Sequence, residues 1–197
     1  MNELGARVAA GLRVRGVPTS ARSEGLARAL GIPLLTLDDV ARLDLGIDGA
    51  DEIDPHLNLV KGRGGALLYE KLVALTCDDY IVVAATEKLV DQLGTRVPLP
   101  VEIVPFGWEH TAARLAAFGA NPRLRLDRPD DDTGGPFISD GGHYVLDCAT
   151  GPIADPPALA ATIKAEAGVV DHGLFLGVAK RAMVVDPQGQ VRTVLPA

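Results

Sequence analysis

The sequence predicts an α/β protein with a parallel sheet in its first half and a smaller α+β unit in its second. Three observations carry this. Short apolar runs alternate with helical patterns over roughly the first hundred residues. YIVVAA (80–85) is continuous and β-rich, as expected for a strand buried on both faces. After Pro98-Leu99-Pro100 the order of elements becomes β-α-β-β-α-β. The prediction is therefore a Rossmann-like parallel-sheet domain with a smaller ferredoxin-like α+β domain. The first comprises residues 1–98 plus 176–197, the second residues 99–175.

Residues 3–11 read as the end of a helix and LRVRGVP (12–18) as a short strand. Thr19 or Ser20 can cap a helix over 21–30, which Gly31 stops. IPLLTL (32–37) and LDLGID (43–48) have strand length. GALLYEKLVALTC (65–77) reads as a helix, with Leu67, Leu68, Leu72 and Leu75 on one face at helical spacing. The second unit reads as strand 101–105, helix 109–118, strands 123–127 and 143–148, helix 156–166 and strand 169–175. Strands 181–186 and 191–195 flank the turn Pro187-Gln188-Gly189-Gln190 and return to the first domain. Asp130-Asp131-Asp132-Thr133-Gly134-Gly135 reads as a solvated loop. Trp108 reads as a packing residue.

Composition narrows the function. Nineteen Lys and Arg against 26 Asp and Glu give a net charge of −7. That argues against nucleic acid or an anionic membrane as partner. An anionic substrate must be held by a few local donors. Cys77 and Cys148 are far apart and outside any C-x-x-C, which fits two buried thiols in a reducing compartment. His56, His110, His143 and His172 have no ligand spacing, and none is assigned to metal. No apolar run reaches membrane length and the start lacks a signal-peptide core. The expectation is a soluble cytoplasmic protein.

The chemistry concentrates in IDGADEIDPHLNLVKGRGGALLYEK (47–71). Asp48 closes a predicted strand, and Asp51 follows across Gly49-Ala50. Ligands of open α/β sheets bind beyond the carboxyl ends of the strands. These carboxylates could hold sugar hydroxyls or move a hydroxyl proton. An Asx-turn is the ordinary reading of either alone; the pair beside KGRGG favours function. Successive N–H groups of Gly62, Arg63 and Gly64 before a helix can form an anion-binding nest; alone the turn reads equally as a plain helix entry with an exposed lysine, and its neighbours give the nest its weight. Lys61 adds a mobile charge suited to a developing oxyanion. Glu70 shares its helix flank with Ala66, Val73 and Ala74. Facing a site, it would be desolvated and raised toward the range of a general base; facing out, it is a surface residue beside Lys71. Lys88 lies just after strand 80–85; it either reaches the same edge or is a surface lysine opening a short helix.

IDGADEID, LVKGRGGALLYEK and PLPVEIVPFGW, with ISDGGHYVLDC and GVVDHGLFLGVA, resemble the ribose-5-phosphate isomerase A family. The resemblance runs from about Val14 to the C-terminus. It implies interconversion of ribose 5-phosphate and ribulose 5-phosphate through an enediolate, without a cofactor, in a homodimer or a dimer of dimers. It implies Glu70 as general base and Asp48 and Asp51 as sugar-contacting carboxylates. Lys61, with the amides of Gly62–Gly64, matches the oxyanion-stabilising group, and Lys88 matches a substrate-binding lysine. Two departures stand out. The family's first strand and Gly-Thr-Gly-Ser-Thr phosphate loop have no counterpart here, which reads as a shortened form with an uncovered central strand. Ala85-Thr86-Glu87-Lys88 replaces the family's frequent Asp-x-Ser-Lys. The missing loop motivates a competing expectation: a non-catalytic sugar-phosphate-binding or regulatory protein, or a truncated inactive form. An amino-sugar deaminase of similar fold is disfavoured by the intact KGxGGALxxEK pattern.

Overall fold

Ser20 starts the first well-capped helix. In the computed structural model, which describes residues 1–128 and 134–197, its hydroxyl accepts from the Ser23 N–H at 3.1 Å, and the Ser23 hydroxyl accepts from the Ser20 N–H at 3.1 Å. A short helix α1 (Asn2–Ala9) precedes this helix, α2 (Ala21–Ala29). The strands expected at 12–18 and 32–37 are not formed. A single bridge joins Gly16 to Leu34, and Leu37–Asp39 is a 3-10 turn. Pro18 and Pro33 lack N–H donors, and among the described residues the two segments pair only with each other. Of the expected acidic loop 130–135, residues 130–133 lie outside the described residues.

The remaining elements are β1 (Leu43–Asp48), β2 (Glu52–Ile53), β3 (Leu59–Val60), α3 (Leu67–Thr76), β4 (Cys77–Ala85), β5 (Leu99–Ile103), α4 (Trp108–Ala116), β6 (Pro122–Leu124), β7 (Tyr144–Cys148), α5 (Pro156–Lys164), β8 (Val169–His172), β9 (Leu174–Phe175), β10 (Arg181–Val185) and β11 (Val191–Val194). The first sheet has the order β1-β4-β10-β11. β1, β4 and β10 run parallel and β11 closes it as an antiparallel hairpin. Tyr80, Ile81 and Val82 of β4 are buried, but Val83 is half-exposed, so burial on both faces holds for only part of the strand. Leu45, Ile47 and Met183 share that exposed face.

The second sheet, β6-β7-β5-β8, is antiparallel throughout and carries α4 and α5 in the predicted β-α-β-β-α-β order. Leu99, Val101, Ile103, Leu115, Leu146 and Ile163 are fully buried in its core, with Trp108 packed at the margin. Each such side chain contributes roughly 1.5–3 kcal/mol of burial.

A three-stranded sheet, β2-β3-β9, joins the two. The strand expected over 169–175 breaks at Gly173, where the chain passes from one sheet to the other. The Gly173 N–H donates to the Pro100 carbonyl at 2.7 Å, and the Gly173 carbonyl accepts from the Lys61 N–H at 2.9 Å. A Cβ at Gly173 would lie 2.2 Å from the Lys61 carbonyl, so only glycine fits this crossing.

Helix α3 corrects the leucine stripe. Leu67 is buried, but Leu72 and Leu75 are 45% and 66% exposed. The inward side runs through Leu67, Glu70, Lys71 and Ala74, which also have helical spacing. Lys71 is paired, so its burial is tolerable. Its Nζ donates to the His172 carbonyl at 2.6 Å and to Asp171, 5.0 Å from the centre of the Phe175 ring. Lys71 thus ties α3 to β8, and Glu70, one residue before it, lines the neighbouring cleft.

Candidate active site

Asp48 ends β1 and Lys61 follows β3, so both lie where strands give way to turns. Together with Glu70 they surround a cleft of about 200 Å³, lined also by Gly49, Ala50, Asp51, Gly62, Arg63 and Gly64. All the residues singled out in 48–70 therefore meet. Lys88 lies in the 3-10 turn Thr86–Lys88 beyond the carboxyl end of β4 and is not among the lining residues.

Lys61 is the hub. Its side chain is 4% exposed. Its Nζ donates to the Gly49 carbonyl at 2.6 Å and lies 2.9 Å from Asp48 Oδ2 and 3.2 Å from Glu70 Oε2. Below it the Phe175 ring centre is 5.4 Å away. A buried ammonium is expensive unless compensated; two carboxylates, a carbonyl and a ring face compensate it here.

The carboxylates differ in what they have left to give. Asp48 Oδ1 accepts from the Gly49 N–H at 2.7 Å, and Oδ2 accepts from the Tyr80 hydroxyl at 3.2 Å as well as facing Lys61. Burial, then the Asp48 charge, pushes the Tyr80 hydroxyl far up, so it stays a donor. Asp51 Oδ2 accepts from the Arg63 N–H at 3.1 Å, and its other oxygen has no donor among the described residues. Glu70 Oε2 is buried and lies near Lys61, but outside hydrogen-bonding geometry. Burial raises the Glu70 pKa above the ordinary glutamate value; Lys61 opposes this, and Asp48 and Asp51 add to it.

The glycine turn is shaped for an anion. Gly62 has φ +106° and Gly65 φ +84°, and the Gly65 N–H closes the turn on the Gly62 carbonyl at 3.0 Å. The N–H groups of Gly62 and Gly64 have no acceptor among the described residues. They are free for a ligand.

Two carboxylates of the same sequence window serve structure. Glu52 is fully buried and accepts from the N–H groups of Gly94, Arg96 and Val97 at 2.5, 2.5 and 3.0 Å. Asp54 accepts from the N–H groups of His56 and Asn58, tying the turn between β2 and β3. Sequence reasoning missed Tyr80 and Phe175. Both sit in β-rich runs that read as plain core, and only their neighbours in space give them a place at the site.

The family model of ribose 5-phosphate isomerase A (phosphoriboisomerase A) matches residues 15–189. The chain is 54% identical over 196 residues to the ribose-5-phosphate isomerase A of Roseiflexus sp. (strain RS-1), covering 98% of this chain and 82% of that one. To the Synechococcus sp. (strain JA-3-3Ab) protein of the same name it is 52% identical over 180 residues, 91% of this chain and 76% of that one. Among solved structures, ribose 5-phosphate isomerase A from Methanocaldococcus jannaschii superimposes with TM-score 0.90 at 35% identity, over 98% of this chain and 84% of that one. A D-ribose-5-phosphate isomerase in complex with phospho-erythronic acid superimposes with TM-score 0.92 at 35% identity, with the same coverage.

Proposed function

Because the chain belongs to the ribose 5-phosphate isomerase A family, we propose that its active site is the cleft of Asp48, Asp51, Lys61 and Glu70, with Glu70 as the general base. The chain is an aldose–ketose isomerase of the pentose phosphate pathway, interconverting ribose 5-phosphate and ribulose 5-phosphate. The comparisons give no support to the non-catalytic alternative.

The observation that carries the site assignment is the placement of Glu70 beside Lys61. A base for this reaction must remove a carbon-bound proton from C2 of the open-chain sugar and return it at C1. A carboxylate held above its ordinary pKa by burial is a stronger base than a solvated one. Charge then develops on the sugar oxygens of the enediolate. Lys61 Nζ and the free N–H groups of Gly62 and Gly64 supply donors for it. Asp51, with one oxygen unoccupied, accepts from a sugar hydroxyl. Asp48, held by Tyr80, Gly49 and Lys61, fixes the lysine and takes part in hydroxyl proton transfer. Lys88, on the same edge of the sheet, is proposed to contact substrate. No residue in this scheme calls for a cofactor.

Phospho-erythronic acid, bound by the related isomerase, has a planar carboxylate in place of the reacting carbons and resembles the enediolate. It is proposed to compete with substrate here. The test is turnover of ribose 5-phosphate with this acid as inhibitor. Competitive inhibition of the wild type and loss of turnover on substitution of Glu70 are expected; turnover indifferent to Glu70 would refute the site. A cytoplasmic homodimer is part of the same proposal, and light scattering should give the mass of two chains.

A further inference from the structure

Arg125 follows β6 on the α+β unit, far from the cleft residues in sequence, and its guanidinium is spent on the glycine turn. Its Nη1 donates to the Gly62 carbonyl at 2.8 Å and to the Arg63 carbonyl at 3.2 Å. Its Nε donates to Asp147 Oδ2 at 2.9 Å, and Nη2 donates to Asp147 Oδ1. The Phe137 ring centre lies 5.8 Å from the guanidinium carbon, and the same ring packs where a Cβ on Gly65 would stand. The arginine side chain is 13% exposed. It is a built clamp, not a surface cation resting on a loop.

The direction of this grip matters. In a planar trans peptide the C=O and the N–H point in opposite directions. Holding the Gly62 and Arg63 carbonyls toward Arg125 therefore turns the Arg63 and Gly64 N–H groups the other way. Both residues line the cleft: the Arg63 N–H is held by Asp51, and the Gly64 N–H has no acceptor among the described residues. We propose that Arg125, oriented by Asp147 and Phe137, is a positioning residue that sets the direction of the anion-facing N–H groups of the Lys61–Gly65 turn. The proposal rests on the isomerase assignment of the cleft and adds to it a link from the α+β unit. Lysine cannot replace the clamp, because a single ammonium lacks the planar fork that serves a carboxylate and two carbonyls at once.

The experiment compares wild type with Arg125→Lys, Arg125→Ala and Asp147→Asn, each shown to be folded by circular dichroism at the assay temperature. Misaimed donors cost less than absent ones, so kcat of both Arg125 variants should fall about 10- to 100-fold. KM should change by less than about threefold, since the interaction is made mainly in the transition state. The acid limb of the pH profile should stay in place, and added guanidinium should restore part of the kcat of Arg125→Ala. Asp147→Asn breaks the same ion pair but leaves Arg125 on the carbonyls, so its kcat should fall less. Turnover of Arg125→Lys within about twofold of wild type would overturn the proposal. So would a larger loss in Asp147→Asn than in Arg125→Ala, since the ion pair and not the grip on the carbonyls would then matter. Calorimetric binding of phospho-erythronic acid separates this proposal from the isomerase reading. If wild type binds the acid without turning over substrate, the catalytic reading fails. The clamp then stands only if Arg125→Ala binds at least about tenfold more weakly, and equal affinity overturns it.

Discussion

Replacing Lys61 by methionine removes the cation that lies 2.9 Å from Asp48 and 3.2 Å from Glu70. At an effective dielectric of about 20, unit charges at the longer separation attract by roughly 5 kcal/mol. That figure is a ceiling, because water entering the vacated space would solvate the carboxylates. Two effects follow. Glu70, already raised by burial, loses the charge that pulls it down. A general base works only when deprotonated, so activity is present above its folded-state pKa and lost as pH falls through it. Raising that pKa moves the acid limb of kcat/KM to higher pH. Separately, the loss of an oxyanion donor should lower kcat about 10²–10³-fold. The assay is kcat and kcat/KM for both proteins from weakly acid to weakly alkaline pH, at a temperature where both are folded. An unmoved acid limb, or a kcat within about tenfold of wild type, would refute the account of Lys61.

Gly65→Ala should destabilise the fold by about 1–3 kcal/mol, because φ is +84° there and the new Cβ would lie 2.2 Å from the Phe137 ring; urea unfolding measures it, and an unchanged midpoint would contradict the packing. His172 is held neutral by burial and by Lys71, its pKa depressed to about 4. The unfolded chain therefore takes up a proton first as pH falls through about 6.5. Stability should be lost from there down to about pH 4, by at most about 3 kcal/mol. Glu70 titrates with the opposite sign, since its raised pKa favours the native state as pH falls through the folded value. The measurement is therefore wild type against His172→Asn, and the difference between them should shrink with falling pH. A constant difference would show that His172 does not titrate as described.

The parallel sheet and the α+β unit were legible because strand-length apolar runs and their spacing are local signals. The cap at Ser20, the hairpin at 187–190 and β4 followed from the same kind of reasoning. Residues 12–18 and 32–37 were not legible as irregular chain. A strand needs a partner, and no local pattern shows that these segments have only a single bridge between them. The leucine stripe of α3 failed for a related reason. Periodicity ranks leucine above lysine for burial, but Lys71 finds a carboxylate and a carbonyl inside, which Leu75 does not need.

At the candidate site, proximity in sequence served well because one turn-strand-turn-helix segment supplies most of the lining. It did not separate Asp48 and Asp51 from Glu52 and Asp54, whose alternate work of tying loops appears only when their N–H donors are seen. Arg125 was out of reach altogether. Its role depends on a contact between residues about sixty apart, and an arginine in a polar strand end carries no local sign of it.

The central claim is that Glu70 moves the proton. Its most direct test is turnover of ribose 5-phosphate in deuterated water by wild type and Glu70→Gln, with exchange at the reacting carbons followed by NMR. Wild type should convert the sugar, and Glu70→Gln should lose both conversion and carbon-bound exchange by at least about 10²–10⁴-fold while still binding phospho-erythronic acid. Exchange and turnover near the wild-type rate in the glutamine variant would contradict the account.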